Sequence, residues 1–394
     1  MSNSSYALQA MPDPEASWEA EIGGVSLIFG AGTLVRLGEE LARLGIRRPL
    51  VVTDPGILDA GLVERAMGLL SDRMELAIFS DVSENPDSDV VAKGAEVASK
   101  HRADGLLAIG GGSSLDCAKG INFIVSNGGR IEDYWGDGKA EKPMLPSIGI
   151  PTTAGTGSEA QRFALISHAE THRKMACGDR KARFKTVILD PDLLETVPRN
   201  VAAVTGIDAV SHAVESYVTR RRTPISQLFA GQAWSLLNGS LETYLERPSS
   251  RTARAGMLLG SHLAGAAIEA SMLGAAHSSA NPLTAQYDVI HGQAVGLMLP
   301  HVVRFNGINV NDLYADLVRG AGLNGSEAPG ATRLSTRLTE LMTSAGLPTR
   351  LSEFNIPESA LGDLAALANQ EWTAKFNPRR VVEQDFVKLY EAAF

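Results

Sequence analysis

The chain has 394 residues, 44% of them hydrophobic, and its 36 Lys+Arg against 45 Asp+Glu give a formal net charge of −9. That length allows two domains, each with a core of its own, while the acidic balance repels phosphate backbones and excludes nucleic acid as a natural partner. Only Cys117 and Cys177 are present, in no CxxC pair, so neither a disulfide framework nor a thiolate metal site is readable and the cytoplasm fits best.

Residues 1–19 form an N-terminal tail that carries acids and prolines where an export signal needs a basic start and an apolar run. From 20 to 197 short apolar runs alternate with amphipathic stretches: RPLVVTD, MELAIFSDV, DGLLAIGGG and PSIGIPTTAG are each followed by helix-like sequence. This βαβ rhythm predicts a mostly parallel sheet in an α/β, Rossmann-like domain. Pro191 and Pro198 punctuate the chain, and from 198 to 394 long Ala/Leu-rich segments with helical spacing predict an all-helical second domain. No stretch reaches the ~18 uninterrupted apolar residues of a membrane span. The run from Ala253 to Ala276, broken by Ser261, His262 and Glu269, predicts a helix packed inside a bundle.

Within the α/β part, LLAIGGGSSLDCAKG is an apolar strand, a Gly-Gly-Gly-Ser turn and a helix. Gly110, Gly111 and Gly112 bare the backbone amides at the helix start, where the dipole also favours a phosphate, and Ser113 adds a hydroxyl. The same turn would serve tight strand-to-helix packing, and it is not the GxGxxG fingerprint. PTTAGTGSEA, from Pro151 to Ala160, is a second such loop, and one extended ligand accounts for both better than two unrelated turns. Asp54 closes the strand RPLVVTD, where a carboxylate can accept from a ribose hydroxyl and repel a 2′-phosphate, favouring NAD over NADP; capping the turn at Pro55 is the equally good alternative.

In the helical part, GIDAVSHAVESY sets Asp208 and His212 four apart, on one helix face. GAAHSSANPLTAQYDVIHG places His277 at the end of the Ala-rich helix and His291 at the start of the next, fourteen residues later, with a returning loop expected between them. Three of only eight histidines therefore fall in small, apolar helical sequence. One Asp with three His and an open coordination position suits Fe²⁺ or Zn²⁺. His262 and His301 read as structural.

These motifs, with KMACGDRKARFKTVILDP between them, occur in the order and spacing of the iron-containing (group III) alcohol dehydrogenases, which the chain resembles over about residues 20–394. The resemblance implies a dehydroquinate synthase-like fold with a cleft between its two domains, and a metal on Asp208, His212, His277 and His291. It further implies an NAD site lined by Asp54, Gly111, Gly112, Ser113, Thr152, Thr153, Ser158 and Lys174, with Asp116 and Thr156 from the same motifs. A homodimer or larger homo-oligomer acting on a small alcohol or aldehyde is the matching family expectation. Asn281 departs from the pattern, because the family commonly has a proton-relaying histidine there and an amide does not titrate near neutrality. Arg180, Lys181 and Arg183 make CGDRKAR more basic than usual, as a solvated face or as a reader of an acidic substrate or neighbouring subunit. The expected activity is hydride transfer between an alcohol carbon and NAD(H). The alternatives are maleylacetate-reductase-like or hydroxyacid-oxoacid transhydrogenase activity, a dehydroquinate-synthase-type lyase, and a non-catalytic scaffold.

Overall fold

The computed structural model describes residues 13, 16–22, 24–70, 74–323 and 327–394. Most of the expected N-terminal tail lies outside these residues, although its last two, Trp18 and Glu19, already belong to a strand. The chain forms two compact units, one of Asp13–Thr153 with Gly157–Val197 and the other containing Ala154–Thr156 and Pro198–Phe394.

The first unit is built on β1 (Trp18–Ile22), β2 (Val25–Phe29), β3 (Pro49–Val52), β4 (Ala77–Phe79), β5 (Gly105–Gly110), β6 (Gly136–Asp137), β7 (Ser147–Pro151), β8 (Phe163–Ser167), β9 (Lys174–Gly178) and β10 (Thr186–Leu189). Seven of them form one sheet in the order β1-β2-β10-β7-β5-β3-β4, antiparallel only between β1 and β2. The four apolar runs read from the sequence are β3, β4, β5 and β7. Their neighbour β10 and the β1–β2 hairpin complete the sheet, and β6-β9-β8 form a small second one. Continuous apolar runs suit parallel strands covered on both faces. Alternate residues such as Val51, Leu107, Ile109, Ile148, Ile150 and Ile188 pack with Leu37, Leu41, Val63 and Ala66, which lie on α1 (Leu37–Arg43) and α3 (Leu62–Met67), either side of α2 (Pro55–Asp59). The remaining helices of this unit, α4 (Ser88–His101) and α5 (Gly112–Asn127), pack against each other and against the sheet.

Inside this unit Lys119 of α5 is almost fully buried. Its ammonium donates to Asp116 Oδ1 (3.0 Å), Ser158 Oγ (2.7 Å), the Ser158 carbonyl (2.9 Å) and the Phe163 carbonyl. Asp116 Oδ1 also accepts from Ser158 Oγ, and Oδ2 from the Leu165 amide at 3.2 Å. A buried charge survives only when paired and hydrogen-bonded, and here the pairing staples α5 to the loop entering β8. Cys117 and Cys177, on α5 and β9, are free and buried.

The second unit contains α6 (Arg199–Val218), α7 (Pro224–Glu246), α8 (Arg251–Ala270), α9 (Ala275–Tyr287), α10 (His291–Gly320), α11 (Gly330–Ala345), α12 (Leu361–Gln370) and α13 (Glu383–Ala393). Helix α6 is buried along most of its length, polar residues such as Asp208, His212 and Glu215 included, and packs against α7, α8 and α10. Two expectations change here. The Ala-rich helix stops at Ala270 rather than running to Ala276, and the segment between His277 and His291 is not a loop but α9, which keeps Pro282 in its interior. No helix among the described residues is long and apolar enough to cross a membrane.

Replacing Lys119 by Met would leave the Asp116 charge buried without its partner, a change that costs about 3–5 kcal/mol. Urea unfolding followed by circular dichroism should show that loss in K119M, and a midpoint equal to wild type would refute the staple.

Candidate metal and cofactor sites

The candidate metal site begins with α6. Asp208 and His212, four residues apart, project from one face, so His212 Nε2 lies 3.4 Å from Asp208 Oδ1. His277 comes from the first turn of α9, with Nε2 3.8 Å from the same oxygen, and His291 is the first residue of α10. One ligand atom from each of Asp208, His277 and His291 falls within 4.8 Å of the others. The fourth expected ligand, His212, stands beside this trio, its ring stacked on His277 with centroids 4.9 Å apart.

Glycine makes the approach possible. A Cβ on Gly292 would lie 2.1 Å from the Val204 carbonyl oxygen and 3.3 Å from Asp208 Cβ, so only a bare backbone lets the start of α10 press against α6. Asp208 Oδ1, His212 Nδ1 and His277 Nε2 are buried and have no hydrogen-bond partner. The bare Asp208 Oδ1 and His277 Nε2 face each other at 3.8 Å, donors of the kind a divalent cation takes.

The charges agree. Burial alone would raise the Asp208 carboxyl, but His212 and then His277 and His291 hold it well below the usual carboxylate range. Burial pushes His212 down, against the opposing pull of Asp208. Burial also opposes a proton on His277, yet its neighbours Asp208 and Glu215 outweigh this and push the ring up to about 9. Glu215, which sequence reasoning missed, is buried and receives His277 Nδ1 at 2.6 Å; its one readable signal is its place seven residues after Asp208, on the same helix face. Asn281, one turn after His277, donates from Nδ2 to Glu371 Oε2 at 2.8 Å. His262 is buried on α8, and burial followed by Arg304 pushes His301 down to about 4.

The expected cofactor residues gather at neighbouring strand ends of the α/β unit. Asp54 follows β3, Gly111 and Gly112 start α5 after β5, and Thr152 and Thr153 follow β7, with β3, β5 and β7 adjacent and parallel. A Cβ on Gly111 would sit 3.3 Å from Thr153 Oγ1, and one on Gly110, at φ +156, would sit 2.5 Å from Ser114 Oγ and 3.1 Å from Asp54 Oδ2. Asp54 caps α2 through the Ile57 amide (3.2 Å) and accepts from Ser114 Oγ (3.0 Å). Thr152 Oγ1 is buried without a partner. Asn85, another residue unmarked by the sequence, joins Ser113 to Lys174: its amide donates to Ser113 Oγ (3.3 Å) and its Oδ1 accepts from Lys174 Nζ (3.2 Å). Asp116 and Ser158, by contrast, are committed to Lys119 below this surface, and Thr156 belongs with Ala154 and Gly155 to the helical unit. Of the basic stretch, Lys181 is tied to Asp179 (3.1 Å) and to the Ala140 carbonyl (2.9 Å).

Two family models match the chain, "Iron-containing alcohol dehydrogenase" over residues 25–191 and "Fe-containing alcohol dehydrogenase family, C-terminal" over residues 202–394. The NAD-dependent methanol dehydrogenase of Bacillus methanolicus is 33% identical over 370 residues, which is 93% of this chain and 97% of that protein. Among solved structures, a 1,3-propanediol oxidoreductase superposes with a TM-score of 0.91 at 31% identity, covering 96% of this chain and 99% of that one. A sulfoacetaldehyde reductase from Bifidobacterium kashiwanohense, solved with NAD⁺, gives a TM-score of 0.86 at 27% identity over 95% and 98% of the two chains.

Two outcomes follow from the metal geometry. In Gly292→Ala the new methyl would force α10 off α6 and carry His291 away, so metal content after reconstitution should fall well below wild type; full retention would contradict the packing. The second concerns pH. In the metal-free protein the His277 proton, held up to about 9 against an ordinary 6.5, stabilises the fold fully below 6.5, and that contribution is lost as pH rises through 9. A metal must displace this proton from Nε2, so apparent affinity should climb by up to about tenfold per pH unit and level off above about 9. Calorimetric titration in buffers of different ionisation heat measures the released proton, and a pH-independent affinity would contradict the assignment.

Proposed function

The chain belongs to the iron-containing alcohol dehydrogenase family, and from that membership we propose that it moves a hydride between the carbon of a small alcohol and NAD(H), with a divalent metal on Asp208, His212, His277 and His291. The observation that carries this reading is the pair of buried, unpartnered atoms Asp208 Oδ1 and His277 Nε2, with a His291 nitrogen within 4.8 Å of both residues' ligand atoms. When bound, an Fe²⁺ or Zn²⁺ ion supplies Lewis-acid polarisation of the substrate oxygen, and the nicotinamide supplies or accepts the hydride.

The chain's own residues do the rest. Asp208 stays ionised and contributes the single anionic ligand, so that a divalent ion keeps about one net positive charge for an alkoxide to neutralise. His212 and His277, each once free of a second ring proton, offer lone pairs without adding charge. Gly111, Gly112 and Ser113 present the amide-rich start of α5 to a diphosphate, with Thr152 and Thr153 on the next strand end. Asp54 at the end of β3 favours NAD over NADP, in keeping with relatives whose names specify NAD or NAD⁺. Asn281 cannot hold the alcohol proton, and its amide instead donates to Glu371. The same reading takes the enzyme as a cytoplasmic homodimer or larger homo-oligomer.

The test is NADH absorbance with a panel of alcohols and aldehydes, acidic aldehydes included, after reconstitution with Fe²⁺, Zn²⁺ or neither. Metal-dependent turnover of free NADH is expected, and D208A should lose both bound metal and at least about 100-fold in rate, as expected when several kcal/mol of charge stabilisation are removed. Steady net NADH consumption excludes a transhydrogenase or lyase that recycles its cofactor. Absence of turnover on every panel member under every metal would overturn the proposal.

A further inference from the structure

We infer that Glu215 is a positioning residue of the metal site, holding His277 in the tautomer and orientation that present Nε2 to the ion. The inference rests on the metal-site reading above and adds to it a residue that touches neither the metal nor the substrate.

Helix α6 carries Asp208, His212 and Glu215 on one face, at positions i, i+4 and i+7. Glu215 is only 4% exposed, and both of its oxygens are engaged. Oε2 is 2.6 Å from His277 Nδ1 and also accepts from the amides of Gly274 (3.1 Å) and His277 (3.4 Å), while Oε1 accepts from the amide of Ala276 (2.8 Å). The carboxylate therefore stands at the N-terminus of α9 and takes up amides that the helix leaves unpaired there. Gly274 admits it, since a Cβ at that position would lie 2.9 Å from Glu215 Oε1 and 3.0 Å from Asn377 Oδ1.

Capping would need only the amides, yet the shortest of the four contacts goes to the imidazole. A neutral ring that donates Nδ1–H to a carboxylate carries its lone pair on Nε2, the nitrogen found on the Asp208 side at 3.8 Å and free of any hydrogen bond. The anionic acceptor also makes Nε2 a stronger donor to a cation. One side chain thus links the helix bearing Asp208 and His212 to the ring of His277. A glutamine cannot take its place, because its NH₂ group would meet an N–H of Ala276 in one orientation, and those of Gly274 and His277 in the other.

The experiment uses the full-length protein. Metal-free wild type, E215Q, E215D and H277A are titrated with Co²⁺ and Zn²⁺ in competition with a chromophoric chelator at one pH, and their melting temperatures are recorded without metal. Expected are a loss of about 10–100-fold in affinity for E215Q, an altered visible spectrum of its bound Co²⁺, and partial recovery of both in E215D, which keeps the charge on a shorter stem. A lowered melting temperature with wild-type affinity and spectrum in E215Q would reduce Glu215 to a helix cap and overturn the inference. Should E215Q not fold, ¹⁵N-histidine spectra of the Zn²⁺-loaded wild type decide: a protonated Nδ1 and a metal-bound Nε2 on His277 support positioning, and metal on Nδ1 overturns it. Wild-type affinity in H277A would instead remove the metal-site reading itself, a result distinct from one confined to Glu215.

Discussion

A carboxylate held almost without water governs the helical unit. Asp208 is 5% exposed, and an isolated ionised carboxyl so placed costs several kcal/mol. The imidazoles offset that cost, but only by arriving from three different helices. His212 comes from Asp208's own helix, whereas His277 and His291 each open another, α9 and α10. Each of those helices can begin where it does only because a glycine at its start, Gly274 or Gly292, leaves room for a side chain or backbone of α6.

The same electrostatics operates in the α/β unit with a different result. Lys119 is buried as deeply as Asp208, but its ammonium is met by a carboxylate, a hydroxyl and backbone carbonyls. What separates a structural buried charge from a chemical one in this protein is the surplus. The surroundings of Lys119 consume its donors, while Asp208 Oδ1 and the His277 Nε2 that faces it are left unspent. Satisfied charges rigidify, and unsatisfied ones wait for a ligand.

This distinction also marks how far the sequence could be read. The runs RPLVV and GLLAIG announce strands because they are short continuous apolar runs, and the ends of β3, β5 and β7 are where a ligand-binding edge of such a sheet belongs. The β8–β9 hairpin went unread because KMACG mixes a charge with small residues and shows no period of two. The Asn281-Pro282 pair reads as a break, yet α9 runs through it, its first turn being anchored on Glu215 and Asn377 from outside the helix. Asp208 and His212 were legible together from four-residue spacing, but the partner of Glu215 lies 62 residues further on, beyond any local pattern. Asp116 and Ser158 look alike with Ser113 and Thr153 as hydroxyl or carboxyl groups in glycine-rich turns. Only the burial of Lys119 tells them apart.

The two sulfur atoms add a practical property. Burial raises the Cys117 thiol far above its ordinary range and pushes Cys177 up to about 12, so near neutrality neither offers a thiolate for alkylation or oxidation. Both belong to the α/β unit, and residues 198–394 contain no cysteine. Reaction with a thiol reagent is therefore a clock for the opening of one half of the chain alone, blind to whatever breathing the helices undergo.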